Sequence, residues 1–163
     1  MATDRPRMGV PEQRIRALRE VELFEGLGLD ALSELGELMI EEEFGPGGVL
    51  ADGEQPVTCL WVLSSGVLAV GPESTHTLAR GGVAGEWALL AESRVPMVLK
   101  CVQSAQVLRL PLAAWEELCF RRRDIHLEVL LNFVRAVSQQ RNNPAQGEDA
   151  PPLFPGVATS PRT

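Results

Sequence analysis

Residues Gly85 to Pro96 read GEWALLAESRVP, a glycine and a glutamate leading into a short apolar helical pattern that ends in a serine, an arginine, a valine and a proline. The glycine lets the backbone come close to a bound group, and the N–H groups at the start of the helix, aided by the local dipole, favour an anion. Arg94 carries a planar fork that grips a phosphate through two parallel bonds, and Glu86 accepts hydrogen bonds from sugar hydroxyls. A single small ligand that offers both groups close together satisfies both ends of the segment. A purely structural origin gives the same letters: a glutamate in a first helical turn is favoured by the dipole whatever its task, and an arginine after a loop is commonly a solvated surface group.

The text on either side decides what kind of scaffold carries the segment. Upstream and downstream lie short β-prone runs, GVLA, TCLWVLSS, GVLAVG, MVLKCVQ and QVLRLP, separated by FGPGG, ADGEQP, SSG, GPEST and RGGVAG, which are rich in turn formers. Strands recurring at short intervals with tight connections predict an antiparallel jelly-roll β-barrel. No helix of crossover length separates them, which excludes a parallel α/β sheet.

Before the barrel, residues 11–41 read as helical, with Ile15, Leu18, Val21, Leu23 and Phe24, then Leu29, Leu32, Leu35, Leu38 and Met39 at helical spacing. EGLGLD divides the run into two helices, and Asp30 is placed to cap the second. After Pro111 the helical period returns twice. LAAWEELCF puts Leu112, Trp115, Leu118 and Cys119 on one stripe, and DIHLEVLLNFVRAVSQQR puts Ile125, Val129, Leu130, Phe133 and Val137 on another, with Asp124 as its cap. The fold class expected is mainly β with flanking helices: N-terminal helices, a barrel and a C-terminal helix pair. Residues 1–19 form an N-terminal arm and helix, 20–141 the domain, and 142–163 a disordered Pro-rich tail. Within that tail PPLFP and TSPRT are candidates for a docking peptide and a phosphorylation site.

Bulk properties remove other classes. A chain of 163 residues suits one domain. Its formal net charge of −7 repels phosphate backbones, and the short basic run Arg121–Arg123 reads as a solvated helix end, so no nucleic-acid partner is expected. Cys59, Cys101 and Cys119 are odd in number and contain no CxxC pair, which fits buried thiols in a reducing compartment and neither a disulfide framework nor a zinc site. There is no signal-peptide core, and no apolar run approaches the roughly 20 residues that span a bilayer, so a cytoplasmic protein with no membrane insertion is expected. His76, in a loop, and His126, on a helix, are too few for a jelly-roll metal centre. Neither a G-x-S-x-G elbow nor a Walker loop is present. No catalytic group, metal or cofactor is assigned, and the chain is not expected to be an enzyme.

LFEGLGLDALSELGELM, then FGPGGVLADGEQPVTCLWVLSSGVLAV with Gly47 and Gly66, then GEWALLAESRVP, in this order, resemble the cyclic-nucleotide-binding domain family. That is the fold of protein kinase A regulatory subunits, cyclic-nucleotide-regulated channels and the sensor half of bacterial catabolite-activator proteins. The resemblance covers about residues 20–141 and makes GEWALLAESRVP similar to the family's phosphate-binding cassette. It implies a nucleotide site of Gly85, Glu86, Trp87, Ala88, Arg94 and Val95. Glu86 would accept from the ribose 2′-hydroxyl and Arg94 would face the cyclic phosphate. Backbone amides near Gly85, Ala88 and Val95 would complete the cradle. Leu89 and Leu90 would seat the cassette helix on the barrel, and the helix around Leu127–Val137 would form a lid over the base.

Three departures accompany these matches. Ala84 stands where the family has an aromatic, the cassette is shorter, and no proline precedes the arginine. Pro96 and Met97 leave no hydroxyl at the position that favours guanine in some relatives, so cAMP is expected over cGMP. The implied function is a switch: nucleotide draws the cassette inward, with Gly81, Gly82 and Gly85 supplying backbone freedom, and the C-terminal helices repack to signal to an effector protein. Residues 142–163 do not encode a helix-turn-helix domain, which again argues against DNA. The alternative is a ligand-blind member of the same fold acting as a protein-interaction scaffold.

Overall fold

Cys59-Leu60-Trp61-Val62-Leu63 is apolar at every position, and the fold uses both of its faces. The computed structural model describes residues 11–74, 76–93, 96–141 and 152–156. The N-terminal part comprises α1 (Glu12–Arg19), a 3-10 turn (Glu22–Phe24) and α2 (Leu29–Glu37). The strands are β1 (Ile40–Phe44), β2 (Val49–Asp52), β3 (Cys59–Ser65), β4 (Leu68–Val70), β5 (His76–Leu78), β6 (Val83–Ala84), β7 (Val98–Cys101) and β8 (Ala105–Pro111). The short helix α3 (Glu86–Ala91) falls between β6 and β7, and α4 (Leu112–Arg121) and α5 (Arg123–Arg141) follow the barrel.

Two four-stranded sheets form, in the orders β1-β8-β3-β6 and β2-β7-β4-β5, with every pairing antiparallel. This is the expected mainly-β, jelly-roll-like fold with flanking helices. Because side chains alternate along a strand, Cys59, Trp61 and Leu63 of β3 face the barrel interior while Leu60 and Val62 face the helices. β8 divides in the same way, with Ala105 and Val107 inside and Leu108 and Leu110 outside. The inner cluster is completed by Leu68, Leu78 and Leu99, and the outer one by Leu18, Leu23, Leu32, Leu35, Trp115, Leu118, Ile125, Val129 and Phe133.

Several expectations are corrected. The helical reading of residues 11–41 ends early: α2 stops at Glu37, and Ile40–Phe44 is a strand on the edge of its sheet, paired with β8. The acidic run Glu41–Glu43 suits an edge, where charge discourages further pairing, and Glu42 accepts from Arg109 Nε at 3.1 Å. Asp30 is not the cap of α2; Gly28 occupies that position and Asp30 lies in the first turn. His76 is on β5, opposite Val70, and is not in a loop. RGGVAG, read as a turn, contains β6, whose Val83 and Ala84 pair with Val62 and Trp61.

The arginine run between α4 and α5 is fastened to α2. Arg122 pairs with Glu34, with Asp30 at 3.5 Å and with Asp124 at 2.9 Å, and Arg121 reaches Glu34 at 3.3 Å. The Arg122 guanidinium holds the Asp124 carboxyl down at about 2. A second tie lies farther along α5, where the buried Asn132 donates from Nδ2 to the carbonyls of Leu23, at 2.9 Å, and Glu25, at 2.8 Å. Its Oδ1 accepts from Arg135 at 2.8 Å. Asn132→Leu strands those carbonyls in an apolar site, and a loss of about 2 kcal/mol in denaturant-derived stability is expected. An unchanged unfolding midpoint would mean that the clip carries no weight.

The tail expectation is corrected for one piece. Within residues 142–163, Pro152–Gly156 lie against the domain, and Phe154 is only 2% exposed. A single large apolar ring, buried in the outer cluster, outweighs the Pro-rich composition around it. The arm 1–10 and the remainder of the tail, 142–151 and 157–163, lie outside the described residues. Among the described residues no helix is long and apolar enough to cross a membrane.

Candidate functional site

β6 delivers the chain directly to the cassette. Its pairing with Trp61 and Val62 carries Gly85 up against the backbone of Cys59, where Gly85 adopts φ 95°, ψ 4°. A Cβ at this position would collide with the Cys59 carbonyl oxygen, so the sequence needs glycine here for both its conformation and its lack of a side chain. The reversed backbone starts α3 at Glu86. The Gly85 carbonyl accepts from the N–H groups of Ala88, at 3.0 Å, and Leu89, at 3.3 Å. The Ala88 amide, which the family resemblance offers to a phosphate, is therefore engaged in the first turn of the helix. At the other end Glu92 takes a left-handed conformation, φ 55°, and the Ser93 N–H closes onto Trp87 O at 3.1 Å.

α3 spans the two cores. Ala88 enters the barrel interior beside Cys59, Trp61 and Ala84, while Leu89 joins the outer cluster with Leu90 packed against it. This agrees with the seating expected of Leu89 and Leu90. Trp87 points away from the barrel, 43% exposed, and meets Phe133 of α5 edge to face with ring centroids 5.0 Å apart. The cassette helix and the C-terminal helix are thus in direct aromatic contact.

Glu86 is the unusual group. It is 5% exposed, and among the described residues its carboxylate takes a hydrogen bond from nothing beyond its own backbone N–H. Burial pushes its carboxyl up to about 7, with that N–H offsetting part of the rise. A carboxyl held this way costs free energy to ionise until a donor arrives. Gly85, Glu86, Trp87 and Ala88 are brought together in one turn, whereas Arg94 and Val95 lie outside the described residues.

The other reactive side chains point to structure. Burial pushes the thiols of Cys59 and Cys119 up to about 11, opposed at Cys59 by Arg109, and burial likewise raises Cys101. Such thiols are poor nucleophiles near neutrality. Among the described residues no three His, Cys, Asp or Glu side chains converge as a metal site would require. His126 stands edge-on to Trp115 at 5.9 Å. The Trp87–Phe133 contact and the Asn132 clip were not read from the sequence. Their only trace there is an aromatic and an amide on adjacent positions of α5.

No family model matches the chain, and no curated protein matches it. Solved structures do. The N-terminal domain of a transcriptional regulator from Streptomyces coelicolor A3(2) superposes with a TM-score of 0.66 at 17% identity, over 81% of this chain and 96% of that one. A candidate cyclic-nucleotide-binding protein from Geobacter metallireducens GS-15 gives 0.65 at 18% identity, over 76% of this chain and 95% of that one. A further candidate of that kind, from Ruegeria pomeroyi DSS-3, gives 0.64 at 19% identity, over 83% of this chain and 65% of that longer one. The chain has the fold of the cyclic-nucleotide-binding domains.

Proposed function

We propose that the domain is a regulatory module that binds a cyclic nucleotide, cAMP ahead of cGMP, and passes its occupancy to an effector protein through α5. The observation that carries this reading is Glu86: a carboxyl buried at the start of α3 with no side-chain partner among the described residues, on the strand-to-helix turn where this fold's resemblance puts a ribose. Two ribose-borne functions fit the chemistry. The 2′-hydroxyl donates to the Glu86 carboxylate, and the cyclic phosphate meets Arg94 and the backbone around Gly85 and Val95. Solved structures of the same fold described as candidate cyclic-nucleotide-binding proteins support the assignment. The reading assigns no catalytic group, and it places the module in the cytoplasm.

Transmission follows from contact. Trp87 lies in the cassette helix and Phe133 on α5, so a ligand that draws the cassette inward changes the seat of α5. It can bias the two arrangements only by its difference in affinity for them.

Calorimetry with cAMP, cGMP and 5′-AMP on the full chain tests the reading. Saturable heat with cAMP is expected, weaker heat with cGMP and none with 5′-AMP. Arg94→Ala should weaken binding roughly 10- to 100-fold, the worth of a charge-assisted contact. Arg94→Lys should also weaken it, since an ammonium cannot copy the fork. No heat with any cyclic nucleotide, alongside recovery of a protein partner in pull-downs, would establish the ligand-blind scaffold instead.

A further inference from the structure

A short piece of the chain's own C-terminal region lies on the domain in a manner that resembles a bound peptide. The Pro155 carbonyl accepts from the Ala79 N–H at 2.8 Å, and the Phe154 carbonyl accepts from the Val83 N–H at 3.0 Å, so Phe154 and Pro155 pair through the main chain with the β5–β6 connection and the first residue of β6. Close approach is built in on both sides. A Cβ on Gly82 would come within 2.8 Å of the Pro155 carbonyl oxygen, and a Cβ on Gly156, at φ +98°, would run into the Ala79 carbonyl. Between these contacts the Phe154 ring enters the outer core, Leu153 packs partly against it, and Pro155 is exposed.

The seat is composite. Glu22 and Glu25, in and just after the 3-10 turn, and Asn132, Arg135 and Ala136 of α5 line one cleft together with Pro152–Pro155, so the segment borders both elements. The Asn132 bonds to Leu23 and Glu25 fix the 3-10 turn to α5, so these walls move together. One fully buried side chain and two main-chain bonds stand against the ordering of the whole Pro152–Gly156 stretch, opposing contributions of similar size.

We propose that the cleft between α5, the 3-10 turn and the β5–β6 connection is a peptide-binding groove for an extended aromatic-Pro-Gly sequence, and that Leu153-Phe154-Pro155-Gly156 is its resident, displaceable ligand. The groove is separate from the cassette, and the assignment does not rest on nucleotide binding. It does have a consequence for any signal passing through α5. Since α5 forms one wall, whatever shifts α5 changes the affinity for the latch, and by linkage latch docking stabilises the present seat of α5. Phe133, which touches both Trp87 and the cluster that receives Phe154, is the shared residue.

Amide exchange on the full-length protein, read residue by residue by NMR, tests this. In Phe154→Ala, the Ala79 and Val83 amides should exchange at least about tenfold faster than in the parent, while amides of β3 and β8 keep their protection. Gly156→Ala, which leaves the ring in place but blocks the close approach to Ala79, should give the same local loss. Adding a synthetic peptide of residues 150–158 to the Phe154→Ala protein should restore slow exchange at Ala79 and Val83 in a saturable manner, and the same peptide with Phe154→Ala should not.

The assignment is overturned if Ala79 and Val83 exchange alike in parent and variants. It is equally overturned if both variants lose protection throughout β3 and β8, which would make the segment permanent core, or if the peptide restores nothing. A concentration-dependent dimer formed by exchange of the segment would replace the intramolecular ligand with a second copy.

Discussion

Gly85→Ala is expected to cost the domain roughly 2 to 5 kcal/mol of folding stability, and to do so without touching any apolar contact. Two costs combine. The left-handed backbone at φ 95° is unfavourable for any residue with a Cβ, at about 1 to 2 kcal/mol. The new methyl would also be driven into the Cys59 carbonyl and crowd Leu60 Cα, a clash with backbone that no rotamer change relieves and that costs about 1 to 3 kcal/mol more. β3 cannot retreat, because it is held by β8 on one side and β6 on the other and packed on both faces. Against a typical total of about 5 to 15 kcal/mol, such a loss leaves a marginal domain. Urea unfolding of the parent and variant measures it directly. A shift below about 1 kcal/mol would show that β6 and α3 relax freely and that the cassette is not tensioned against β3.

Glu86→Gln should stabilise the protein at alkaline pH and abolish a pH dependence. The folded-state carboxyl titrates at about 7, against an ordinary value of 4.5. The native state therefore holds a proton that the unfolded chain releases, and stability is highest below about 4.5, falls as pH rises towards 7 and levels off beyond it. At about 1.4 kcal/mol for each tenfold change in proton concentration, the parent should lose roughly 3 kcal/mol across that window. A neutral amide of the same shape escapes this loss, so at pH 8 the variant should be the more stable protein and at pH 4.5 the two should be similar. Asp124 acts in the opposite sense: its stabilisation is present above the ordinary carboxyl value and is lost only as pH falls through about 2, outside the window. Denaturation curves at pH 5 and pH 8 decide the matter, since parallel pH slopes in parent and variant would remove Glu86 as the titrating group. The same amide should weaken any ribose that needs an anionic acceptor, so stability and ligand affinity move in opposite directions.

The barrel was legible because its strands announce themselves in composition. TCLWVLSS and QVLRLP are short apolar-rich runs between turn formers, and both became central strands. β1 was missed because IEEEF carries three adjacent acids, which look like the polar face of a continuing helix; its strand character comes from pairing with β8, a tertiary effect. β6 was missed because two residues between glycines give no periodicity to read. At the site, spacing alone put Gly85, Glu86, Trp87 and Ala88 in one turn. It could not say that Ala88 would spend its amide on Gly85, or that Glu86 would be buried, since burial depends on β3 and α5, remote in sequence. Phe154 was hidden for a different reason: one ring in a Pro-rich stretch has no partner in its own neighbourhood, and what it fills is assembled from elements that lie more than a hundred residues apart.

The β3–β8 pair is the common wall of two rooms. On one side lie the side chains that enclose the barrel, on the other those that hold the helices, and each strand contributes alternately to both. A wall of that kind has no slack: close-packed interiors pass on displacement instead of absorbing it. Crowding inside the barrel is felt as pressure behind the helices, and levering a helix off its bed loosens the interior, so the two chambers communicate mechanically with no need for a wire of polar bonds between them.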